Sequence, residues 1–238
     1  MTAPRTPIWK SIADTLTREI ASRQYVPGDK LPTEAALSAR FGVNRHTVRR
    51  GLSDLAEQGL IHTRRGAGAF VASTPTDYPI GRRVRFHQNL RAAGRDPAKE
   101  VLRIETRAAS EHEADRLDIP TTSVVHIYEG LSYADEQPIA LFESIFPADR
   151  FPDLPALLKD SGSVTAALSA QGVADYTRAS TRITATRATA TQALHLRLSE
   201  GAPILRSVGI NVDAHSRPVE FGRTWFAGDR VTLTISDL

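Results

Sequence analysis

The 238-residue sequence contains no cysteine, one methionine and two tryptophans. Absence of cysteine excludes disulfides, thiolate nucleophiles and cysteine-ligated zinc. There is no run of 18 apolar residues, so no membrane partner is expected. Met1 to Trp9 carry one early charge and no apolar stretch, so no signal peptide is expected and a cytoplasmic location is. Catalytic motifs are missing too. The histidines (His46, His62, His87, His112, His126, His195, His215) are scattered without an H-E-x-x-H helix, and neither G-x-S-x-G nor a P-loop occurs. Gly66-Ala67-Gly68 does not lead into a phosphate-binding helix. The expectation is therefore no enzyme, with no catalytic residue, no metal and no cofactor.

What is present is a folded chain with an uneven charge. A hydrophobic content of 41% suits packed domains, and the length suits two. Residues 1–73 hold eleven basic and six acidic residues, a net of +5; the other 19 basic and 21 acidic residues net −2. A basic first third is the asymmetry expected of a domain that meets a polyanion. Only four of the 30 basic residues are lysine (Lys10, Lys30, Lys99, Lys159).

Ile8, Trp9, Ile12, Ala13, Leu16 and Ile20 recur at three-to-four spacing, which predicts an amphipathic helix over 8–23. Val26-Pro27-Gly28-Asp29 ends it. Thr33 is a good N-cap for a second helix through Ala36, Leu37, Arg40 and Phe41, stopped by Gly42. Asn44 caps a third, whose stripe is Thr47, Val48, Leu52, Leu55 and Ala56, ending at Gly59. Two short helices around a Gly-Val turn form a helix-turn-helix pattern. Residues 60–71 then give two short strands flanking Arg64-Arg65-Gly66-Ala67-Gly68, a β-hairpin wing.

The polar, proline-bearing stretch 74–81 is expected to be a linker between domains 1–73 and 82–238. Beyond it, strands are expected near 101–108, 124–133, 139–146, 177–186, 204–213, 219–226 and 232–235, with helices at 87–93, 111–117, 164–171 and 191–198. Ala114–Ile119 before Val124 echoes Ala193–Leu198 before Ile204, about 79 positions apart, suggesting one α+β domain made of two related halves.

On the third helix Arg45, His46, Arg49 and Arg50 lie opposite the apolar stripe. That is the arrangement of a recognition helix, whose outward arginines reach guanine edges in the major groove. Arg64, Arg65 and Gly66 at the wing tip suit a phosphate or the minor groove. The segments Leu31-Pro32-Thr33-Glu34, Phe41 to Arg50, and Gly66 to Val71 resemble the signature of the GntR superfamily. The resemblance implies a winged helix whose DNA contacts are carried by Arg45, Thr47, Arg49 and Gly66. Thr33, Arg40, Asn44, His46, Arg50, Arg64 and Arg65 complete the candidate DNA-binding set. Where the family commonly has an arginine after the helix-opening glutamate, this chain has Ala35, and Arg40 or Arg50 is the candidate to replace it.

The second region is similar to the UTRA effector domain of the HutC-type branch, with a chorismate-lyase-like α+β fold. The resemblance rests on Tyr133 to Ala140, Ala185 to Ala188, Pro218 to Phe221 and Gly228-Asp229-Arg230. Asp77-Tyr78-Pro79, Arg85-Phe86, Gln88-Asn89-Leu90 and Asn44 to Thr47 look most like regulators of phosphonate uptake and breakdown. This implies a homodimeric repressor of double-stranded operator DNA with a small anionic effector: a phosphonate, a phosphate or a phosphorylated metabolite. A regulator of sugar-phosphate, amino-sugar or histidine catabolism and an enzyme of chorismate-lyase type are the alternatives. The candidate effector-binding residues are Arg85, Phe86, His87, Gln88, Glu129, Ser132, Glu143, Arg182, Glu220 and Phe226. Related sensors place two arginines on a central strand, but here that segment reads Glu129-Gly130-Leu131-Ser132.

Overall fold

A computed structural model describes residues 7–64, 66, 68–72, 75–83, 90–91 and 94–235. The chain forms two compact units, Met1–Thr74 and Pro75–Leu238.

In the first unit α1 (Ile8–Ala21), α2 (Glu34–Phe41) and α3 (Arg45–Glu57) precede a hairpin of β1 (Ile61–Arg64) and β2 (Gly68–Val71). Side chains set the helix starts. The Thr33 hydroxyl accepts from the Ala36 amide at 3.2 Å, and Asn44 Oδ1 from the Thr47 amide at 2.9 Å. Each satisfies a first-turn N–H that the helix itself cannot. Gly42 ends α2 at φ +63°, a left-handed conformation that glycine adopts without steric cost. Ile12, Leu16, Leu37, Val48 and Leu55 are buried in one core with Ile61 and Val71. Ile8, expected on the same face of α1, is exposed at the first turn of the helix. The turn after α1 extends the wing: the Leu31 amide bonds to the Ala69 carbonyl at 2.9 Å and the Gly28 amide to that of Val71 at 3.0 Å.

The second unit is built on a six-stranded antiparallel sheet. Its members are β4 (Pro97–Ala108), β5 (Val124–Ala134), β6 (Gln137–Pro147), β7 (Thr177–Arg187), β8 (Pro203–Val212) and β9 (Pro218–Ala227), in spatial order β4-β5-β6-β9-β8-β7. Helix α4 (Glu111–Leu117) connects β4 to β5, and α7 (Ala190–His195) connects β7 to β8. The two strand-helix-strand-strand halves meet where β6 pairs with β9, so the sequence echo marks a structural repeat. Both helices start on a capping box, Ser110 with Glu113 and Thr189 with Gln192. Between the halves lie α5 (Leu154–Ser161), which the periodicity did not suggest, and α6 (Val164–Ala170). Leu154, Leu158 and Leu168 pack there against Tyr128, Phe142 and Phe146.

The linker expectation is corrected over part of its length. Thr76–Pro79 is a strand (β3) pairing in parallel with β10 (Val231–Thr234), with Thr76 and Tyr78 buried. Its backbone partner comes from the far end of the chain, which local composition cannot reveal. The helix expected at 87–93 falls largely outside the described residues; Leu90 is buried. Arg230 is buried and donates to the carbonyls of Pro138 and Leu196, each at 2.7 Å, and of Arg197 at 3.0 Å. It ties the turn before β10 to the start of β6 and the end of α7.

Two outcomes are expected. A Cβ on Gly51 would lie 2.9 Å from the Trp9 carbonyl oxygen, so α1 and α3 cross at glycine distance. Gly51→Ala should cost the first unit roughly 1–3 kcal/mol despite alanine's better helix propensity, read as a lower denaturant midpoint for that unit. Glu113 is buried, and the Arg107 guanidinium at 2.7 Å lowers its pKa to about 2; burial opposes this, and hydrogen bonds from Ser110 assist it. A depressed folded-state pKa means that Glu113 stabilises the unit above its ordinary value of 4.5. That stabilisation should fade as pH falls from about 4.5 to about 2. Stability measured against pH should show this acid-labile component, and Glu113→Gln should remove it.

Candidate functional site

The outward face of α3 carries Arg45, His46, Arg49 and Arg50, all exposed, while Val48, Leu52 and Leu55 are buried. The four side chains are not equivalent. Arg49 forms a two-point ion pair with Glu34 at the start of α2, at 3.1 and 2.7 Å, and holds the Glu34 carboxyl below its ordinary pKa. Arg50 lies over the Trp9 ring at 4.6 Å. Arg40 pairs with Glu19 and sits 4.9 Å over the Phe41 ring. Arg45 and His46 form no hydrogen bond or ion pair among the described residues. Thr33 and Asn44 serve as helix caps, and Asn44 Oδ1 also takes the Thr47 hydroxyl at 3.0 Å. At the wing, Arg64 closes β1 in register with Gly68, and Gly66 turns the tip at φ +76°. Arg65 lies outside the described residues.

In the second unit one face of the sheet walls a cavity of about 320 Å³. Side chains alternate across a strand, so each strand offers every second residue to this face. β5 offers Ser132, β6 offers Phe142 and Ser144, and β9 offers Glu220, Gly222, Thr224 and Phe226. The outer strands supply the cations: Lys99 from β4, opposite Ser132, and Arg178 from β7, opposite Asn211 of β8. Tyr78 and Ile80, at the start of the unit, and Tyr176 complete the lining used here.

Glu220 is held by two neutral donors, the Ser144 hydroxyl at 2.6 Å and the Asn211 amide at 2.5 Å. Lys99 lies 5.0 Å over the Phe142 ring; burial pulls its ammonium below the ordinary value and the Glu220 carboxylate pulls the other way. Burial raises the Tyr78 hydroxyl well above its usual range, and its ring packs 5.3 Å from that of Phe226. Where related sensors would place central-strand arginines, Gly130 and Ser132 occupy the cavity face. A Cβ at Gly130 would come within 2.3 Å of the Glu100 carbonyl oxygen.

Of the ten candidate effector residues, Ser132, Glu220 and Phe226 line this cavity. Arg85, Phe86, His87 and Gln88 lie outside the described residues. Glu129, Glu143 and Arg182 are corrected by strand parity. Glu129 and Glu143 are paired neighbours on the opposite face, where Arg103 bonds Glu129 at 3.1 Å and Arg223 bonds Glu143 at 2.8 Å. Arg182 is opposite Val208, which packs in the cluster behind the sheet with Leu117 of α4, and is exposed. Lys99, Arg178, Tyr78, Tyr176 and Asn211 were missed. Their local sequence carries no signal for the cavity; only the order and facing of the strands gathers them.

Comparison with known proteins agrees with this architecture. The family model for bacterial regulatory proteins of the gntR family matches residues 9–71, and that for the UTRA domain matches residues 92–232. The chain is 39% identical to an HTH-type transcriptional regulator of Rhizobium meliloti, over 96% of this chain and 94% of that protein. It is 36% identical to the probable transcriptional regulator PhnF of Escherichia coli, over 95% and 94%. Among solved structures, PhnF from Mycobacterium smegmatis superposes with a TM-score of 0.65 at 24% identity, covering 95% of this chain and 99% of that one, a likeness of fold. No helix among the described residues is long and apolar enough to cross a membrane. With a gntR-family match over its first unit, a UTRA match over its second and relatives of 39% and 36% identity across nearly their whole length, the chain belongs to the GntR family of transcriptional regulators, in the branch that carries a UTRA domain.

Proposed function

We propose that this regulator is a cytoplasmic, homodimeric repressor whose affinity for its operator is set by a small anionic metabolite, one of phosphonate metabolism. The observation that carries the reading is the outward face of α3, where Arg45 and His46 stand exposed beside the capped start of the helix. A helix presented this way fits the major groove, with Arg45 reaching a guanine edge. Two copies would read a pseudo-palindromic site, since protein two-fold symmetry is mirrored in half-site symmetry. Lys99 and Arg178 in the cavity support an anion as effector. The phosphonate assignment rests on the resemblance carried by Asp77-Tyr78-Pro79 and the recognition helix, together with the likeness to Escherichia coli PhnF. The reading assigns no catalysis to the cavity.

Control of DNA binding needs a ligand that contacts something that differs between two states. β3 meets that need. It continues from the first unit, and Tyr78 and Ile80 carry it into the cavity wall. A ligand touching them would bias the segment through which the two units are joined.

Fluorescence anisotropy on the upstream DNA tests the reading. Arg45→Ala should cost roughly 1–3 kcal/mol of specific affinity, whereas Arg50→Ala, whose side chain already rests on Trp9, should cost less. Equal, negligible effects would remove α3 as the reading helix. Addition of phosphonates, phosphate or sugar phosphates should release the wild-type protein from its site; indifference to all of them would sink the effector assignment.

A further inference from the structure

The cavity holds charges of both signs, and their arrangement restricts the ligand more than a net charge does. At one side stands Arg178, beside the irregularity in β7 between residues 178 and 180. Its guanidinium lies across Gly209: a Cβ there would be 1.9 Å from Nη1 and 2.9 Å from Cζ. Its buried Nε has no hydrogen-bond partner among the described residues. A buried donor without an acceptor is costly, and a planar guanidinium fork fits a phosphonate or carboxylate at two points.

Two strands away on the same face stands Glu220. Arg178 is in register with Asn211, and Asn211 with Glu220, so the three form a row across β7, β8 and β9. The spacing of paired strands puts the ends of that row roughly 10 Å apart at Cα, and the side chains shorten the gap. Ser144 and Asn211 each give Glu220 one hydrogen bond, one to each carboxylate oxygen. Each oxygen keeps a second lone pair. Gly222 on the cavity side of the same strand has no side chain to cover the carboxylate.

A simple dianion received by Arg178 would bring like charge toward Glu220. A molecule with an anion at one end and an ammonium a few atoms away meets both groups. We propose that the effector is a small zwitterion, its anion received by Arg178 and its ammonium by Glu220. The proposal rests on the reading of this cavity as the site of an anionic effector.

Calorimetric titration of the full-length protein with 2-aminoethylphosphonate, ethylphosphonate and ethanolamine tests the proposal. The aminophosphonate should bind at least about tenfold more tightly than either single-ended compound. Glu220→Gln should abolish its advantage over ethylphosphonate. Gly209→Ala removes no polar group but displaces the Arg178 guanidinium, and should weaken both phosphonates about tenfold. Equal binding of ethylphosphonate and the aminophosphonate, or discrimination that survives Glu220→Gln, overturns the zwitterion. Failure of all three probes to bind overturns it too. Operator release by inorganic phosphate or a sugar phosphate in the same preparation would then leave the anionic-effector reading standing. Without any such release that reading falls as well.

Discussion

The antiparallel pairing of β6 with β9 is the constraint on which the second unit depends. It joins two strand-helix-strand-strand halves into one continuous sheet, with Ile145 opposite Phe221 and Ala140 opposite Phe226. Once that register is set, every residue of the sheet is assigned to one of two faces. One face packs Leu117, Val125, Ile145 and Phe221 beneath α4; the other walls the cavity. A slip of one residue would exchange the two sets and turn Glu143 and Arg223 toward the cavity in place of Phe142 and Thr224. The apolar residues behind the sheet thus fix which polar residues stand in front of it.

The two faces handle charge differently. Behind the sheet, Arg103, Glu129, Glu143 and Arg223 form a transverse row in which Arg103 bonds Glu129 and Arg223 bonds Glu143. Those charges are neutralised locally and stabilise the pairing of neighbouring strands. In the cavity Glu220 is held by neutral donors, while Lys99 is lodged against aromatic rings and Arg178 against Gly209. Buried charge is costly, and its concentration in this cavity supports the proposed effector role.

The first unit shows a comparable division of labour. Arg40, Arg45, Arg49 and Arg50 are all exposed but differ in their partners. Arg40 and Arg49 brace α2 against α1 and α3 through Glu19 and Glu34, and Arg50 covers Trp9. These contacts fix the angle at which α3 is presented and leave Arg45 and His46 at its first turn to face outward. Exposed ion pairs contribute little to stability, and a DNA phosphate can compete for either arginine.

Much of this was legible in the residues because it is local. Thr33, Asn44, Gly42 and Ser110 act within one helical turn, so the helix boundaries follow from hydrogen bonds available a few residues away. The apolar spacing of Ile12 and Leu16, or of Val48, Leu52 and Leu55, identifies the buried faces for the same reason. Even the internal repeat was visible, since each half needs its own capped helix and its own strand. The cavity was only partly legible. Ser132, Glu220 and Phe226 were named in advance, but Glu129, Glu143 and Arg182 proved to face the other way. Strand β3 was hidden in a polar stretch because its partner β10 lies at the opposite end of the chain. The two-domain plan and the winged helix could be read from the residues, since they depend on periodicity, caps and turns, and the family from the motif segments that resemble its signature. Which polar residues share the cavity could not, because that follows from strand order and from the face each residue takes across six strands.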